Sequence, residues 1–511
     1  MVAHPKTCAH IALITVALSL LLPAPATWVA AASMGPLDED TAAPLVPFWT
    51  YSPKEETDTG AQFGAAVAFA GDLDGNGHAD ALVGAPLAAY AGSRQGLVYL
   101  FCASQASAPL PDLPNTIFSG GQQGSSFGAA VGSAGDVDGN GYDDLVIGAE
   151  RWNPGDLSQA GAAFVYYGRE RFCADPPAVA DRIFEGEQAN ALFGRSVAAA
   201  GDVNGDGYDD LIIGAPGYRR GSAQVGAVYI FFGSPDGLRT DDVQILAGDQ
   251  AGALFGNAVS SAGDVNGDGY DDIIIGAPSH SQSLELEGAA FVYLGAATGI
   301  TTTDRWVAYG GQARAYFGSA VSNAGDVGAD AKAYAAVAVG APGFDGDTES
   351  GGEDWGRVSV FHGSESGLPT LPNWTYTEAV KNARLGFALS VGDIDDDGYA
   401  DLIVGAPSYD DSGSTGGTDA NESVLIFLGT STGLRSQPTW QLRANQGRCD
   451  FGWSVAGGGD VNADGLGDLL VGAPRHKRGE RTYGQAFAYL GAPPVVLSSQ
   501  IYLPLVVRSS P

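Results

Sequence analysis

A stretch of 24 residues, seen most clearly at 193–216, occurs in seven copies along the chain. Each copy has Phe-Gly or Leu-Gly, then an acidic loop, then an apolar run that ends in Gly-Ala-Pro or, once, Gly-Ala-Glu. The acidic loops begin at Asp72, Asp136, Asp202, Asp264, Asp326, Asp393 and Asp460, in steps of 62 to 67 residues. So regular a period indicates a repeat architecture, and we expect one closed unit rather than several independent domains.

Each period reads as four short strands separated by turn residues, as at 196–200, 211–213, 227–232 and 243–246. Four strands per period make one blade of a β-propeller. No fourth strand follows the seventh copy, but Phe48-Trp49-Thr50-Tyr51 precedes the first and resembles Trp374-Thr375-Tyr376. We therefore predict an all-β fold: a seven-bladed β-propeller of four-stranded antiparallel blades, closed when the N-terminal strand Phe48 to Tyr51 joins the last blade.

The acidic loop has the donor pattern of a calcium site. Counted from the first Asp, positions 1, 3, 5 and 9 are Asp or Asn in six copies, position 6 is Gly, and position 7 offers a backbone carbonyl. Ca²⁺ takes about six to eight oxygen ligands, and a Gly allows the sharp turn between them. We predict about six structural Ca²⁺ ions. The predicted ligands are Asp72, Asp74, Asn76, His78, Asp80, Asp136, Asp138, Asn140, Tyr142, Asp144, Asp202, Asn204, Asp206, Tyr208, Asp210, Asp264, Asn266, Asp268, Tyr270, Asp272, Asp393, Asp395, Asp397, Tyr399, Asp401, Asp460, Asn462, Asp464, Leu466 and Asp468.

The alternative is that these clusters are solvated hairpin turns, and the repetition of one donor spacing in six copies argues against it. The fifth copy departs from the pattern: Asp326 is followed by Gly328, Asp330 and Lys332, and Tyr334 stands at position 9. Its interval from the first Asp to the Gly of Gly-Ala-Pro is fourteen residues rather than twelve. We predict no calcium in the fifth repeat.

Phe-Gly, the D-x-[DN]-x-[DN]-G-x-x-D loop and Gly-Ala-Pro together resemble the FG-GAP repeat, and seven of them resemble the β-propeller of integrin α-subunits over residues 47–492. The resemblance implies calcium in the hairpins of the lower face and a role as an extracellular adhesion or ligand-binding module. Six loops here have the ligand pattern, whereas calcium loops in integrins are confined to some blades.

The ends of the chain and its charge bear on localisation. Residues 1–32 read as a signal peptide, with Lys6 before an apolar run and Ala30-Ala31-Ala32 before a cleavage point. We interpret 33–46 as a linker and 493–511 as a tail too short to cross a membrane. A net charge of −34 disfavours nucleic acid. We expect a secreted or cell-surface monomer without a membrane span.

Disulfides are not expected to hold this fold together. The mature chain keeps Cys102, Cys173 and Cys449, so at most one disulfide can form, and the sequence leaves its pairing open.

The face opposite the calcium loops is expected to bind a protein or glycan ligand, because its loops differ most between copies and are basic in places. The candidate residues are Trp152, Tyr218, Arg219, Arg220, Arg475, Lys477, Arg478, Arg481 and Tyr483. Solvated loops are the simpler interpretation of them. No catalytic motif is evident, and we favour a binding protein over an enzyme. The alternative is a propeller-based carbohydrate-active enzyme such as a polysaccharide lyase, with His280, His362 or Tyr218 as its base.

Overall fold

The computed structural model describes residues 44–53, 59–104, 109–303, 305–328, 334–346, 354–408, 422–444 and 446–493. The expected signal peptide at 1–32, residues 33–43 of the linker and residues 494–511 of the tail lie outside this part. No helix that could span a membrane occurs among the described residues.

The strands are numbered in chain order. The N-terminal strand and blade one comprise β1 (Trp49–Tyr51), β2 (Ala66–Gly71), β3 (Asp80–Ala85), β4 (Ala89–Tyr90), β5 (Ser93–Arg94), β6 (Leu97–Phe101) and β7 (Thr116–Ser119). Blades two and three comprise β8 (Phe127–Gly135), β9 (Asp144–Ala149), β10 (Ala162–Tyr166), β11 (Arg182–Glu185), β12 (Ser196–Gly201), β13 (Asp210–Ala215), β14 (Arg219–Arg220), β15 (Ala223–Gln224), β16 (Ala227–Phe231) and β17 (Val243–Ala247).

Blades four and five comprise β18 (Ala258–Gly263), β19 (Asp272–Ala277), β20 (Ala289–Tyr293), β21 (Arg305–Tyr309), β22 (Val321–Gly325), β23 (Ala336–Ala341), β24 (Arg357–His362) and β25 (Trp374–Thr377). Blades six and seven comprise β26 (Ala388–Gly392), β27 (Asp401–Ala406), β28 (Ser423–Phe427), β29 (Trp440–Leu442), β30 (Ser454–Gly459), β31 (Asp468–Ala473), β32 (Lys477–Arg478), β33 (Arg481–Thr482) and β34 (Gln485–Tyr489).

These strands form the predicted seven four-stranded antiparallel sheets. The last sheet has the order β1-β34-β31-β30, with Trp49 opposite Ala488 and Tyr51 opposite Ala486. The N-terminal strand is thus the outer strand of blade seven, and both the seven-bladed fold and its mode of closure are confirmed. The first strands of neighbouring blades contact one another around the axis, including β2 with β30 across the closure.

The hydrophobic core lies between blades. All six residues of the second strand are buried in every blade, and each core cluster combines side chains from neighbouring blades. The cluster at the closure joins Val83 and Phe101 of blade one to Leu470 and Ala488 of blade seven. A strand buried on both faces reads as a continuous apolar run, which explains the Leu-Ile-Ile and Leu-Val-Ile segments of the repeat.

Two glycines of the motif meet at each blade boundary. A Cβ atom on Gly84, the Gly of Gly-Ala-Pro in blade one, would collide with the carbonyl oxygen of Gly128, the Gly of Phe-Gly in blade two. Gly128 also has a φ of +83°, which side chains rarely adopt. The same contact recurs at every boundary, up to Gly472 against Gly64 at the closure. The two ends of the motif are therefore constant because they touch each other across blades.

Blade six lacks a β-bulge that the other blades have. Six first strands shift register just before the acidic loop, as between Ala199 and Gly201 in blade three. Strands β26 and β27 pair without a shift. In that copy Leu385 stands eight residues before Asp393, whereas the Phe of every other copy stands nine before its Asp. The missing residue is the extra residue of the bulge.

A disulfide joins blades one and two. Cys102, after β6, is bonded to Cys173, and Cys449 is a buried free thiol. The sequence had allowed one disulfide among these three cysteines without indicating which two form it. A disulfide is typical of proteins that fold in an oxidising compartment.

Candidate metal centres and ligand face

The first Asp of each acidic loop holds the loop closed through backbone amides. In blade three, Asp202 Oδ1 accepts hydrogen bonds from the amides of Gly205 at 2.7 Å and Asp206 at 3.0 Å, and Oδ2 accepts one from Gly207 at 2.8 Å. The side chain at position 5 in turn accepts from the amide at position 7, as Asp206 does from Tyr208 at 3.2 Å. Equivalent bonds close the other five predicted loops. These bonds turn the loop back on itself and bring its oxygens together.

The Asp at position 9 begins the second strand and is buried. Asp210 is fully buried, and it accepts from the Val203 amide at 3.1 Å and from the Gly233 amide at 2.9 Å. The second bond ties the acidic loop to the loop that follows the third strand, and it recurs in all six copies. The acidic loop is therefore held against the blade at both of its ends.

Burial raises the pKa of these position 9 carboxyls despite the amide bonds, and neighbouring loop carboxylates raise it further. The pKa rises to about 8 for Asp80, Asp144 and Asp401, and to about 7 for Asp210, Asp272 and Asp468. Burial and the adjacent Asp397 and Asp393 also raise the pKa of Asp395 to about 6. The charged form of these buried carboxyls is therefore disfavoured.

A bound Ca²⁺ ion would stabilise the charged form of these carboxyls. Among the described residues, the Oδ1 atoms of Asp74 and Asp395, both at position 3, are buried without a hydrogen-bond partner. A buried polar oxygen without a partner is costly, and a cation would satisfy it. One oxygen from each of Asp136, Asp138 and Asp144 lies within 4.8 Å of the others, and the same holds for Asp393, Asp395 and Asp401. The residues at positions 1, 3, 5 and 9, with the carbonyl at position 7, would hold the ion, and its role there would be structural.

A third group of possible ligand atoms combines Asp80, the position 9 residue predicted to bind calcium in blade one, with two cysteines. Asp80 lies beside Cys102 and Cys173, and one ligand atom from each falls within 4.8 Å of the others. Both sulfurs are in the disulfide, so they cannot ligate a metal as thiolates.

The fifth loop keeps the backbone of the blade but not the ligand set. Counting along the chain puts Tyr334 at position 9, but the register pairs Gly325 with Ala336, just as Gly201 pairs with Asp210 in blade three. Tyr334 instead takes the place of the tyrosine at position 7, lying against Gly267 of blade four. The buried carboxylate is thus replaced by Ala336, and the two extra residues fall within the loop. Residues 329–333 lie outside the described part, and the absence of calcium here stays a prediction.

Upper-face hairpins carry most of the predicted ligand residues. Arg219 and Arg220 form β14, and Lys477 and Arg478 form β32; all four are exposed. The two hairpins lie in blades three and seven, so they do not form a single cluster. Blades one and two lie between them on the ring and add Arg94 and Arg151. The basic residues therefore follow an arc over four consecutive blades.

A glutamine from the preceding loop fixes the start of these hairpins. The Gln188 side chain accepts from the Arg219 amide at 2.9 Å and donates to its carbonyl at 3.2 Å. Gln446 makes the same pair of bonds with Lys477, at 2.6 and 3.1 Å. The basic side chains therefore project from an ordered backbone, which lowers the entropy lost when a partner binds.

Of the other predicted ligand residues, Trp152, Tyr218 and Tyr483 are more enclosed, whereas Arg475 and Arg481 are exposed. Tyr483 is buried beneath Arg478, whose guanidinium lies 4.4 Å from the ring centre. Trp152 donates to Glu185 at 2.9 Å, and Tyr218 packs into the core. Arg475 pairs with Asp450 at 3.1 Å. Arg481 lies exposed on β33.

The candidate catalytic bases do not come together. His280 follows β19 on the upper side of blade four, is buried, and has a pKa lowered by that burial. His362 ends β24, at the lower side of blade five. Tyr218 lies in blade three.

Comparisons with known proteins place this geometry in a family. A family model described as "FG-GAP repeat" matches residues 63–101, 127–166, 193–231, 255–294, 385–426 and 451–489, which are six of the seven copies and omit the fifth.

Several relatives carry the name integrin alpha. Integrin alpha-5 of Xenopus laevis is 33% identical over 247 residues, 47% of this chain and 22% of that protein. Integrin alpha-PS5 of Drosophila melanogaster is 36% identical over 184 residues, 35% of this chain and 16% of that protein. Integrin alpha-6 of Homo sapiens is 38% identical over 161 residues, 31% of this chain and 13% of that protein. The matched segment thus spans only 13% to 22% of the length of these relatives.

Proposed function

Since the chain belongs to the FG-GAP repeat family and has an integrin α-like propeller, we propose that it is a calcium-stabilised extracellular binding module. Its upper face would engage a polyanionic partner, a glycan or an acidic protein segment. Six Ca²⁺ ions on the lower face would fix the ring and leave the opposite face for binding. The presence of a disulfide and the expected signal peptide support export.

The basic arc carries this proposal. Exposed Arg219, Arg220, Lys477, Arg478 and Arg481 occur in a chain with only 25 Lys and Arg against 59 Asp and Glu. A local positive field on an acidic protein steers anionic partners to that face and repels them elsewhere. The loops of blades four and five are acidic by contrast, with exposed Glu285 and half-buried Asp345 and Asp354 among the described residues. The upper face is thus polarised.

The test uses immobilised heparin and poly-L-glutamate as polyanions and dextran as the neutral control, with the calcium-loaded full chain as analyte. We expect binding to at least one polyanion, weakening steeply between 50 and 300 mM salt because the contacts are exposed ion pairs. Replacing Lys477, Arg478 and Arg481 with Ser should weaken it at least tenfold.

The matched control is Lys381→Ser with Arg314→Ser, which removes exposed cations from loops outside the arc. That variant should bind as the unaltered protein does. Equal affinity of the arc variant and the unaltered protein, or binding that does not depend on salt, would overturn the proposal.

A further inference from the structure

A cavity of about 580 Å³ opens at the axis of the upper face. Its wall includes the residue that directly follows Phe-Gly, or Leu-Gly in blade six, in every blade. These seven equivalent positions hold Ala65, Ala129, Arg195, Asn257, Ser319, Phe387 and Trp453. The repeat therefore places one side chain per blade around the same opening, and their chemistry differs from blade to blade.

One side of the cavity is positively charged. Glu150 takes the place of the proline of Gly-Ala-Pro in blade two, and it is buried at 8% exposure. Arg195 Nη1 donates to its carboxylate at 3.0 Å, and Arg151 Nε lies 3.5 Å from it. Two guanidinium groups share one carboxylate, which leaves a net positive charge. A guanidinium has five N–H donors, so each can also donate to an anion in the cavity.

The opposite side is aromatic. Phe387 and Trp453, from blades six and seven, pack with ring centroids 4.6 Å apart at an angle of 47°. Both are only partly buried and line the cavity. Asn257 and Ser319, from blades four and five, lie between the arginine side and the aromatic side on the ring. Cations, an aromatic wall and small polar groups thus surround one space.

We infer that this cavity binds an acidic sugar, a hexuronate residue of an oligosaccharide. The carboxylate would pair with Arg195 and Arg151, the C–H face of the pyranose would stack on Trp453, and hydroxyls would bond to Asn257 and Ser319. The volume is in the range of small-molecule sites and accommodates one or two sugar rings. A cationic ligand would meet two arginines, and a bare phosphate would make no use of the aromatic wall.

This inference rests on the proposed function in placing a glycan on the upper face, but it uses other residues than the basic hairpins. The probe is digalacturonate, titrated by calorimetry into the calcium-loaded full chain, with digalactose as the neutral counterpart. We expect saturable one-to-one binding of digalacturonate and at least tenfold weaker binding of digalactose. Tryptophan fluorescence should change on binding, and the change should be lost in Trp453→Ala.

The other copies of the repeat indicate which substitutions to make. Arg195→Ala installs the residue that blades one and two have at this position, and Trp453→Ala removes the aromatic surface. Each should weaken digalacturonate at least tenfold. Because Arg195→Ala leaves buried Glu150 with one fewer partner, the double variant Arg195→Ala with Glu150→Pro restores the Gly-Ala-Pro consensus. It should melt within a few degrees of the unaltered protein and still fail to bind.

The two proposals fail separately. The variant with Lys477, Arg478 and Arg481 replaced by Ser should keep its affinity for digalacturonate while its binding to heparin or poly-L-glutamate is weakened. No heat of binding at millimolar digalacturonate, or an affinity unchanged by Trp453→Ala and by the double variant, would overturn the cavity site and leave the basic arc standing. If binding to heparin or poly-L-glutamate is lost only in the variant of Lys477, Arg478 and Arg481, that result bears on the basic arc and not on the cavity.

Discussion

The backbone amide of Asp72 in blade one donates to the Asp143 carboxylate of blade two at 2.8 Å. In the same way, the amide of Asp136 donates to the Asp209 carboxylate at 2.9 Å, and the amide of Asp202 donates to the Asp271 carboxylate at 3.0 Å. Each of these three accepting residues directly precedes the position 9 Asp of its own loop. Neighbouring acidic loops are therefore bonded to each other as well as to their own blades. We expect the loops of blades one to four to respond to calcium together.

The first prediction concerns pH in the absence of calcium. Burial raises the pKa of Asp143, Asp209 and Asp271, and it raises the pKa of the position 9 carboxyls to about 7 or 8. A carboxyl whose pKa is higher in the folded state than in the unfolded state favours folding most below the unfolded value, near 4, and this contribution is lost as pH rises through the folded value. Calcium-free protein should therefore melt at lower temperature at pH 8 than at pH 5.

The measurement is thermal melting of protein stripped of metal on a chelating resin, from pH 5 to pH 8. With millimolar calcium the trend should reverse, because protons compete with the ion for the same oxygens. A melting temperature of the stripped protein that rises with pH would contradict this reading of the loops.

The second prediction concerns the glycine of Phe-Gly at the boundary between blades one and two. Gly128→Ala places a Cβ against the Leu97 carbonyl oxygen and Val98 at a φ of +83°. Gly92→Ala is its matched control, because its φ is +82° but it has open space around it. Conformational strain alone should cost about 1 kcal/mol in Gly92→Ala, and overpacking should bring Gly128→Ala to about 3 kcal/mol or more. Urea unfolding of the calcium-loaded protein measures both; equal losses would remove the blade contact as the reason for the glycine.

The third prediction concerns ring closure. Trp49 on β1 is buried, donates from Nε1 to the Pro111 carbonyl at 3.0 Å, and packs edge-on against Phe101 with centroids 4.8 Å apart. Trp49→Ala should lower the free energy of unfolding by about 3 kcal/mol or more, since a buried aromatic is lost where the ring closes. Leu113→Ala, at a neighbouring residue 61% exposed, should stay within about 0.5 kcal/mol. A Trp49→Ala protein as stable as the Leu113→Ala control would mean that β1 does not hold the ring together.

The fold could be predicted from the sequence because the same motif, with the same structural requirements, recurs in every blade. Phe-Gly and Gly-Ala-Pro mark the blade boundary, and the absent fourth strand at the end of the chain pointed to the N-terminal strand as its replacement. The disulfide between Cys102 and Cys173 could not be chosen from three cysteines, because it depends on how two blades pack. In the fifth loop, counting misassigned Tyr334 because the insertion falls before it, which the sheet register reveals through Ala336.

The candidate metal centres and the axial cavity could be predicted from the sequence only in part. Oxygen donors at alternating positions are visible in a sequence, whereas the bonds from Asp143 to a neighbouring loop depend on blade packing. The axial cavity was missed because its residues lie far apart in the chain. One signal could have found it: the position after Phe-Gly varies from Ala65 to Arg195 to Trp453, although the motif before it hardly changes. Glu150 in place of proline was a second sign of the same site.

The central claim is that six loops hold calcium and the fifth does not. Metal counting by plasma mass spectrometry, after gel filtration in calcium buffer, tests it most directly. We expect six ions per chain, five in Asp136→Ala, and still six in Asp326→Ala, with a lower melting temperature once the ions are chelated. A count near zero, or an ion lost from Asp326→Ala as from Asp136→Ala, would contradict the account.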